Sequence, residues 1–217
     1  VPLSTYEDYA RAIERMIDGE KNILTARDAV YFCISSGTVG DEKYIPLTEY
    51  DLEAHYTFMY GAVFGQIREH YRDLGETDVF GKIFQIGEFA KTYMPDGRMN
   101  GIRSSCVYQW MDRNGEFDAS DYCVPKEILF PETLEDQLYI KVRFALAERD
   151  LTAIHGVFIN RIAGVIEYIL RNWKLLLRDM EYGTVSVDIP EKQRKYLAEK
   201  LPPDPERARE LHAIPYE

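Results

Sequence analysis

The chain carries the stretch AVYFCISSGTVGDEK at residues 29–43, in which a short apolar run leads directly into a turn rich in glycine and hydroxyl groups. The apolar part, residues 29–34, is too short for a typical helix and is rich in β-branched and aromatic side chains, which predicts a buried strand. The turn would expose backbone N–H groups and let the backbone approach an anion without interference from Cβ atoms. This pattern predicts a phosphate cradle, with an ordinary Ser/Gly turn as the alternative.

The turn does not match the common nucleotide-binding and nucleophile motifs. The Walker pattern G-x-x-x-x-G-K-S/T and the dinucleotide pattern G-x-G-x-x-G are absent, and so is the nucleophile elbow G-x-S-x-G. The four histidines have no spacing typical of metal ligands and are predicted to be structural or exposed: His55, His70, His155 and His212. The residues alone therefore identify no catalytic group and no metal site.

Helices are predicted before and after this strand in the sequence, because apolar residues recur there at three- and four-residue spacing. The predicted helices cover residues 5–18, 48–73, 134–146 and 160–182, and further strands cover residues 81–87 and 151–158. Thr48 with Asp51, and Thr133 with Asp136, predict helix caps, and residues 94–101 predict a loop. Four aromatic residues of the second helix are expected to pack in the core: Tyr56, Phe58, Tyr60 and Phe64. Strands alternating with helices predict the α/β class.

Composition restricts the partners and the compartment. The formal net charge of −11 disfavours binding to nucleic acid. No apolar stretch reaches the roughly 18 to 20 residues of a membrane span. Three scattered cysteines, Cys33, Cys106 and Cys123, favour a reducing compartment over a disulfide framework. We therefore expect a soluble, cytoplasmic protein of one large or two small domains, with no nucleic-acid partner and no membrane span.

Residues 35–43 resemble the first signature of adenylate-forming enzymes, T/S-S-G-T-T/S-G-x-x-K. Ile45 and Pro46 continue it as in the Gretchen Hagen type, the auxin-responsive promoter family of acyl acid amido synthetases. Further segments resemble this family in the family's order: residues 6–9, 156–158, 172–184 and 203–206. The resemblance thus spans essentially all 217 residues.

The resemblance implies a fold and a domain organisation. Residues 1–217 would be part of the large N-terminal domain of an adenylate-forming enzyme, an α/β domain of buried strands with long packed helices that binds nucleotide and acyl substrate. The second and third signatures of the superfamily do not occur in the sequence. We therefore expect a chain truncated at both ends, with the C-terminal domain absent.

The resemblance also implies a two-step ligase reaction. A carboxylic acid would attack the α-phosphorus of ATP to give an acyl-adenylate, and an amine acceptor such as an amino acid would then displace AMP. The loop of the family holds the β- and γ-phosphates with Mg²⁺ nearby, which carries over by position to Ser35, Ser36, Gly37, Thr38, Gly40 and Lys43. An acyl pocket would be lined by Tyr108 and Trp110, expected on a strand, and by Val157 and Phe158, with core packing as the alternative.

Three residues depart from the family pattern and keep other functions open. Val39 stands where the family commonly has a small or hydroxyl residue, and Asp41 and Glu42 place carboxylates beside the proposed phosphate, unless they help to hold hydrated Mg²⁺. These departures favour a degenerate homologue that acts as a non-catalytic interaction protein. An acyl-CoA ligase is a further alternative. We expect the isolated chain to bind ATP weakly or not at all and to form no amide.

Overall fold

A computed structural model of the chain describes residues 3–35, 42–75, 81–87, 89, 91–131 and 137–214. In chain order, the helices and strands are α1 (Glu7–Ile17), β1 (Ala29–Ser35), β2 (Lys43–Thr48), α2 (Glu49–His55), α3 (Val63–Asp73), β3 (Lys82–Gln85), β4 (Thr92–Tyr93), β5 (Met99–Gly101), α4 (Arg103–Arg113), α5 (Lys126–Leu129), α6 (Leu138–Ala147), β6 (Leu151–His155), α7 (Ile159–Arg171), α8 (Trp173–Tyr182), α9 (Glu191–Lys200) and α10 (Pro205–His212). This mixture of helices with sheets confirms the predicted α/β class. Among the described residues, no helix has both the length and the apolar character needed to cross a membrane.

The chain divides into two compact units, each assembled from several segments. Unit 1 comprises residues 1–79, 89–118 and 130–133, and unit 2 comprises the remaining segments, 80–88, 119–129 and 134–217. Unit 1 holds a four-stranded sheet in the order β2-β1-β5-β4, and unit 2 holds the parallel pair β3-β6. The predicted strands at the start of the chain and at residues 81–87 and 151–158 are confirmed as β1, β3 and β6.

Strand β1 forms the centre of unit 1, because neighbouring side chains point to opposite faces of the sheet. Tyr31 and Cys33 belong to the core on one face, together with Leu52 and Trp110. Phe32 belongs to the core on the other face, together with Met16 of α1 and other side chains. Tyr31 and Phe32 are both fully buried. The sheet is therefore covered by helices on both sides, and the predicted burial of this strand is confirmed.

Unit 2 is organised around a buried polar network on α6 and α8. The Asp179 carboxylate is completely buried. It accepts hydrogen bonds from the Tyr139 hydroxyl (2.8 Å), the Thr184 hydroxyl (2.7 Å), and the backbone N–H and hydroxyl of Ser186 (2.9 and 2.6 Å). Arg143, also buried, donates to the Tyr139 hydroxyl (2.7 Å) and to the carbonyls of Thr184 and Asp179 (2.8 and 3.0 Å). The network fixes the turn that follows α8 against α6.

We expect this network to make unit 2 sensitive to acid. Burial raises the pKa of Asp179, but hydrogen bonds from Ser186, Thr184 and Tyr139 outweigh burial and hold the pKa below its ordinary value. A lowered pKa stabilises the fold fully above the unfolded value of about 3.9 and loses its effect as the pH falls through the folded value. Urea midpoints of unit 2, measured from about pH 6 to about pH 2, should fall more steeply in wild type than in Asp179→Asn. Identical pH dependence in the two proteins would contradict this assignment.

The predicted helix over residues 160–182 is two helices rather than one. Helices α7 and α8 meet at Asn172, whose side-chain amide donates to the carbonyl of Tyr168 at 2.8 Å. Asparagine competes with helical hydrogen bonding in this way, because its short side chain reaches nearby backbone groups. Helix α8 ends, as predicted, at Gly183, which has the left-handed conformation of a C-cap (φ +65°).

The helix predicted over residues 48–73 starts as expected but is interrupted. Thr48 and Asp51 form the predicted capping box. Residues 56–62 form a π-helix between α2 and α3. A wider turn rotates the apolar stripe that follows by about 100° for each extra residue. The interruption therefore separates the two halves of the predicted apolar face.

The predicted core is wrong for this segment, because α3 buries none of its residues and residues 61–75 are all exposed. Phe58 and Phe64 were expected to be buried, but they are 68% and 37% exposed. Tyr56 is half-buried, and its ring centroid lies 5.7 Å from that of Trp110. The side chain of Tyr60 lies outside the described part of the chain.

Other parts of the fold differ from the predictions or leave them open. Residues 94–101, expected as a loop, contain a turn whose flanks pair as β4 and β5. Helices α4 and α9 were not predicted. The predicted helix over residues 134–146 is described from Leu138 as α6, and its predicted cap, Thr133 with Asp136, lies outside the described residues.

Candidate functional site

The two ends of the predicted phosphate loop are held together by the β1–β2 hairpin. Ser35, the last residue of β1, pairs with Lys43, the first residue of β2, in an antiparallel register. Both residues are half-buried. The other predicted loop residues, Ser36, Gly37, Thr38 and Gly40, lie outside the described residues. The structure thus fixes where the loop begins and ends.

Sequence and topology explain why this hairpin forms. Strand β2 lies at the edge of the sheet, where the missing N–H of Pro46 is tolerated. The last two residues of β2, Leu47 and Thr48, are buried. Strand β1 is held on both sides, by β2 and by β5. The loop therefore leaves from a strand that is fixed at the centre of a sheet.

Lys43 contacts the start of α1 in this structure. Its Nζ lies 3.3 Å from the Glu7 carboxylate and 5.1 Å from the centroid of the Tyr6 ring. The Tyr6 hydroxyl accepts a hydrogen bond from the backbone N–H of Tyr44 at 3.1 Å. The Glu7 pair is exposed, and exposed ion pairs contribute little net stability. Lys43 can therefore leave Glu7 for another anion at low cost.

Two acidic residues, Asp41 and Glu42, directly precede Lys43, and the structure describes Glu42. Glu42 is exposed, and its carboxylate accepts a hydrogen bond from the Tyr44 hydroxyl at 3.3 Å. Burial, followed by the charge of Glu42, raises the pKa of that hydroxyl. Asp41 lies outside the described residues. Within the described part of the chain, no group of three or more potential ligands could hold a metal ion.

A cationic residue missed by the sequence interpretation lies beside β1. Arg103 is the first residue of α4, and its Nη2 lies 3.2 Å from the Nδ1 atom of His55, the last residue of α2. Burial, and then the charge of Arg103, lower the pKa of His55. Arginine remains protonated and can only donate, so the His55 ring is neutral and accepts at Nδ1. No sequence motif marks this pair, because its members are 48 positions apart.

The structure divides the four predicted acyl-pocket residues between the two units. Tyr108 and Trp110 were expected on a strand but lie on helix α4, where they are 2% and 5% exposed. Tyr108 stacks on Phe89 with 3.8 Å between the ring centroids, and Trp110 donates to Glu49 at 2.5 Å.

The other two predicted residues, Val157 and Phe158, precede α7 in unit 2. Each of them is 62% exposed. The structure therefore brings Ser35 and Lys43 together in one hairpin. It places Tyr108 and Trp110 in the interior of unit 1 and leaves Val157 and Phe158 accessible on unit 2.

Comparisons with known proteins agree on one family. The model of the GH3 family N-terminal domain matches residues 1–216. The chain is similar to indole-3-acetic acid-amido synthetase GH3.6 of Arabidopsis thaliana, with 25% identity over 214 residues covering 96% of this chain and 34% of that protein. It is also similar to jasmonoyl–L-amino acid synthetase GH3.3 of Oryza sativa subsp. japonica, with 27% identity covering 97% of this chain and 46% of that protein.

A solved structure shows the same fold. AtGH3.15 acyl acid amido synthetase in complex with 2,4-DB matches with a TM-score of 0.74 and 22% identity, over 96% of this chain and 36% of that chain. This chain therefore spans between about a third and a half of the length of these relatives.

Proposed function

Because this chain belongs to the GH3 family, whose N-terminal-domain model matches residues 1–216, we propose that the whole protein is an ATP-dependent ligase that joins a carboxylic acid to an amine. Relatives named as amido synthetases and as a benzoates-glutamate ligase support this reaction class, with an amino acid as the expected amine. One observation on this chain carries the proposal. The paired ends of the β1–β2 hairpin, Ser35 and Lys43, flank the candidate phosphate loop.

The proposed reaction places most of its electrostatic demand on this loop. A carboxylate oxygen attacks the α-phosphorus of ATP, the bond to the bridging oxygen breaks, and pyrophosphate leaves with the electron pair. The amine nitrogen then attacks the acyl carbon, AMP leaves, and the amine proton passes to water or a base. Lys43 moves from Glu7 to the phosphates as a point charge, and Ser35 with loop residues 36–40 supplies N–H and hydroxyl donors.

The donors on this chain fit Mg²⁺ that is carried mainly by the nucleotide. Mg²⁺ keeps several waters and takes substrate phosphates with one or two protein carboxylates. Glu42 is an exposed carboxylate at the end of the loop and could supply one ligand. When bound, the ion would neutralise charge that develops on the phosphates.

The predicted acyl-pocket residues differ in their access to a substrate. Val157 and Phe158 are exposed on unit 2, so a substrate can reach them directly. Tyr108 and Trp110 are buried in unit 1, where they have a packing role and would not touch the acid.

Lys43→Ala in the whole protein should reduce acid-dependent release of pyrophosphate from ATP by about tenfold to a hundredfold. The variant removes the only lysine of the predicted loop, a charge directed at the leaving phosphates, while both strands of the hairpin remain. Glu7→Gln should have a small effect in the opposite direction, because it releases Lys43 from an exposed ion pair. The measurement is pyrophosphate release against ATP concentration, with a carboxylic acid present and absent.

Lys91→Ala is the matched control for this assay. Lys91 lies in the same unit, its side chain is 40% exposed against 39% for Lys43, and it pairs with Asp112 at 3.2 Å. Equal losses in the two variants would contradict a phosphate role for Lys43. A whole protein that releases no pyrophosphate would reject the ligase and favour the interaction protein. Product formed with coenzyme A rather than an amine would favour an acyl-CoA ligase.

A further inference from the structure

Ser35 and Arg103 lie at the same end of the parallel strand pair formed by β1 and β5. Strands β1 and β5 are parallel, and Cys33 lies opposite Gly101 in their register. Ser35 follows Cys33 by two positions, and Arg103 follows Gly101 by two positions. In open sheets, ligands bind outside the carboxyl ends of parallel strands. The first residue of α4 thus lies near the carboxyl-terminal end of β1, where the candidate phosphate loop begins.

The charge of Arg103 is not balanced by a described carboxylate. The residue is half-buried, and within the described part of the chain no carboxylate lies within ion-pair distance of its guanidinium. Its side-chain contact is the neutral ring of His55. A guanidinium carries five N–H donors, and this contact uses one of them. The remaining N–H donors of Arg103 have no carboxylate partner within the described part of the chain.

Two other arginines of unit 1, Arg113 and Arg98, have structural partners, in contrast to Arg103. Arg113, at the opposite end of the same helix, donates to both carboxylate oxygens of Glu49 at 2.6 and 2.7 Å. Arg98 pairs with Asp96 and donates to two carbonyls at the end of α1. Arg103 has no comparable role among the described contacts. A partly desolvated cation costs free energy unless an anion compensates it.

We propose that Arg103, oriented by His55, binds an anionic oxygen of a substrate: a phosphate of the nucleotide or the carboxylate of the acid. This inference rests on the proposed ligase function and adds a binding residue to the site. The planar guanidinium presents paired donors that match carboxylate and phosphate geometry. His55 is a positioning residue, because its Nδ1 atom accepts from Arg103 and leaves the other donors directed elsewhere.

The test is anion binding to the whole protein, measured by isothermal titration calorimetry without turnover. Benzoate represents the acid, tripolyphosphate represents the nucleotide, and benzamide is the uncharged analogue of benzoate. Arg103→Gln should raise the Kd of benzoate, of tripolyphosphate or of both by about tenfold or more, because a charge-assisted contact is lost. Benzamide binding should not change. The anion that responds identifies the substrate group that Arg103 contacts.

Four variants separate binding from folding. Arg113→Gln, on the same helix, should leave both Kd values unchanged, and Arg103→Lys should bind better than Arg103→Gln because it keeps the charge. His55→Leu should weaken binding, whereas His55→Asn should restore it, since the asparagine oxygen can accept in place of Nδ1. Unfolding midpoints of all variants establish that the chains are folded.

Three results would overturn the proposal. These are wild type binding neither anion, Kd values for Arg103→Gln within about twofold of wild type, and equal losses in Arg113→Gln. Because these measurements need no turnover, their failure is distinct from a failure of the ligase assay on the whole protein.

Discussion

Replacing Asp179 by alanine is expected to lower the free energy of unfolding of unit 2 by about 3–5 kcal/mol. The carboxylate accepts four hydrogen bonds, and Asp179 itself is fully buried. Its removal leaves the hydroxyls of Tyr139, Thr184 and Ser186 without this acceptor. A buried donor left unsatisfied costs about 1–3 kcal/mol, so the loss of several such bonds reaches this range.

Urea unfolding of chains labelled with 5-fluorotryptophan measures this effect. The two tryptophans report separately, since Trp110 lies in unit 1 and Trp173 lies in unit 2. Asp188→Ala, on an exposed aspartate of the same unit, should stay within about 0.5 kcal/mol of wild type. The double variant Arg143→Met with Asp179→Leu should recover part of the loss. If Asp179→Ala lowers the free energy of unfolding by less than about 1 kcal/mol, the buried network does not make the expected contribution to the stability of unit 2.

Gly81→Ala is expected to destabilise unit 2 by about 3 kcal/mol, at the upper end of the cost of overpacking. A Cβ atom at this position would lie 2.3 Å from the backbone oxygen of Asp150 and 2.7 Å from its side-chain Oδ1. The oxygen cannot move freely, because it accepts the hydrogen bond from the backbone N–H of Lys82 at the start of β3. The methyl group would therefore separate β3 from β6.

Gly87→Ala is the matched control at the other end of the same strand. Its Cβ atom would meet its nearest neighbour, the Gln85 side chain, at 3.5 Å, which is an ordinary contact. This variant should be neutral or up to about 1 kcal/mol more stable. Hydrogen exchange of the amides of Lys82 and Ile86, which bond to Asp150 and His155, reports the pairing of β3 with β6. Equal exchange rates in the two variants would contradict the predicted clash.

Local signals of the sequence predicted the parts of the fold that depend on local physics. The apolar run of β1 and the Thr48 capping box are formed as predicted, because each is determined by residues close in sequence. The end of α8 was also predicted, since Gly183 adopts a conformation that glycine favours. Strands β4 and β5 have two and three residues, too few for an alternating pattern to be recognised.

Helix α4 escaped prediction for a different reason. Its N-cap, Ile102, provides no side-chain hydrogen bond, so the usual start signal is missing. Its buried face includes the polar residues Ser105 and Gln109, which breaks the apolar period. Arg103 was therefore not recognised as part of a site, because only the register of β5 against β1 places it beside Ser35.

The segments that supported the family resemblance include structural as well as binding residues. Buried Asp179 of α8 holds the turn that follows the helix at Gly183 and Thr184, and none of these residues lies in the phosphate loop. Asp204 caps α10 by accepting from the N–H of Arg207 at 2.9 Å. A match at these positions indicates a shared fold, whereas the loop and its flanking charges determine whether a nucleotide binds.

The division of the chain into interleaved segments has a consequence for its synthesis. Strand β3 leaves the ribosome well before β6, its only described strand partner, so its edge stays open until residue 155 has emerged. Unit 1 likewise needs residues 130–133, which follow a segment of unit 2. Pairings between distant positions form slowly and leave apolar surface open to aggregation in the meantime. Neither unit can be expressed as one uninterrupted fragment, and nascent chains that stop before β6 should be the ones that chaperones retain.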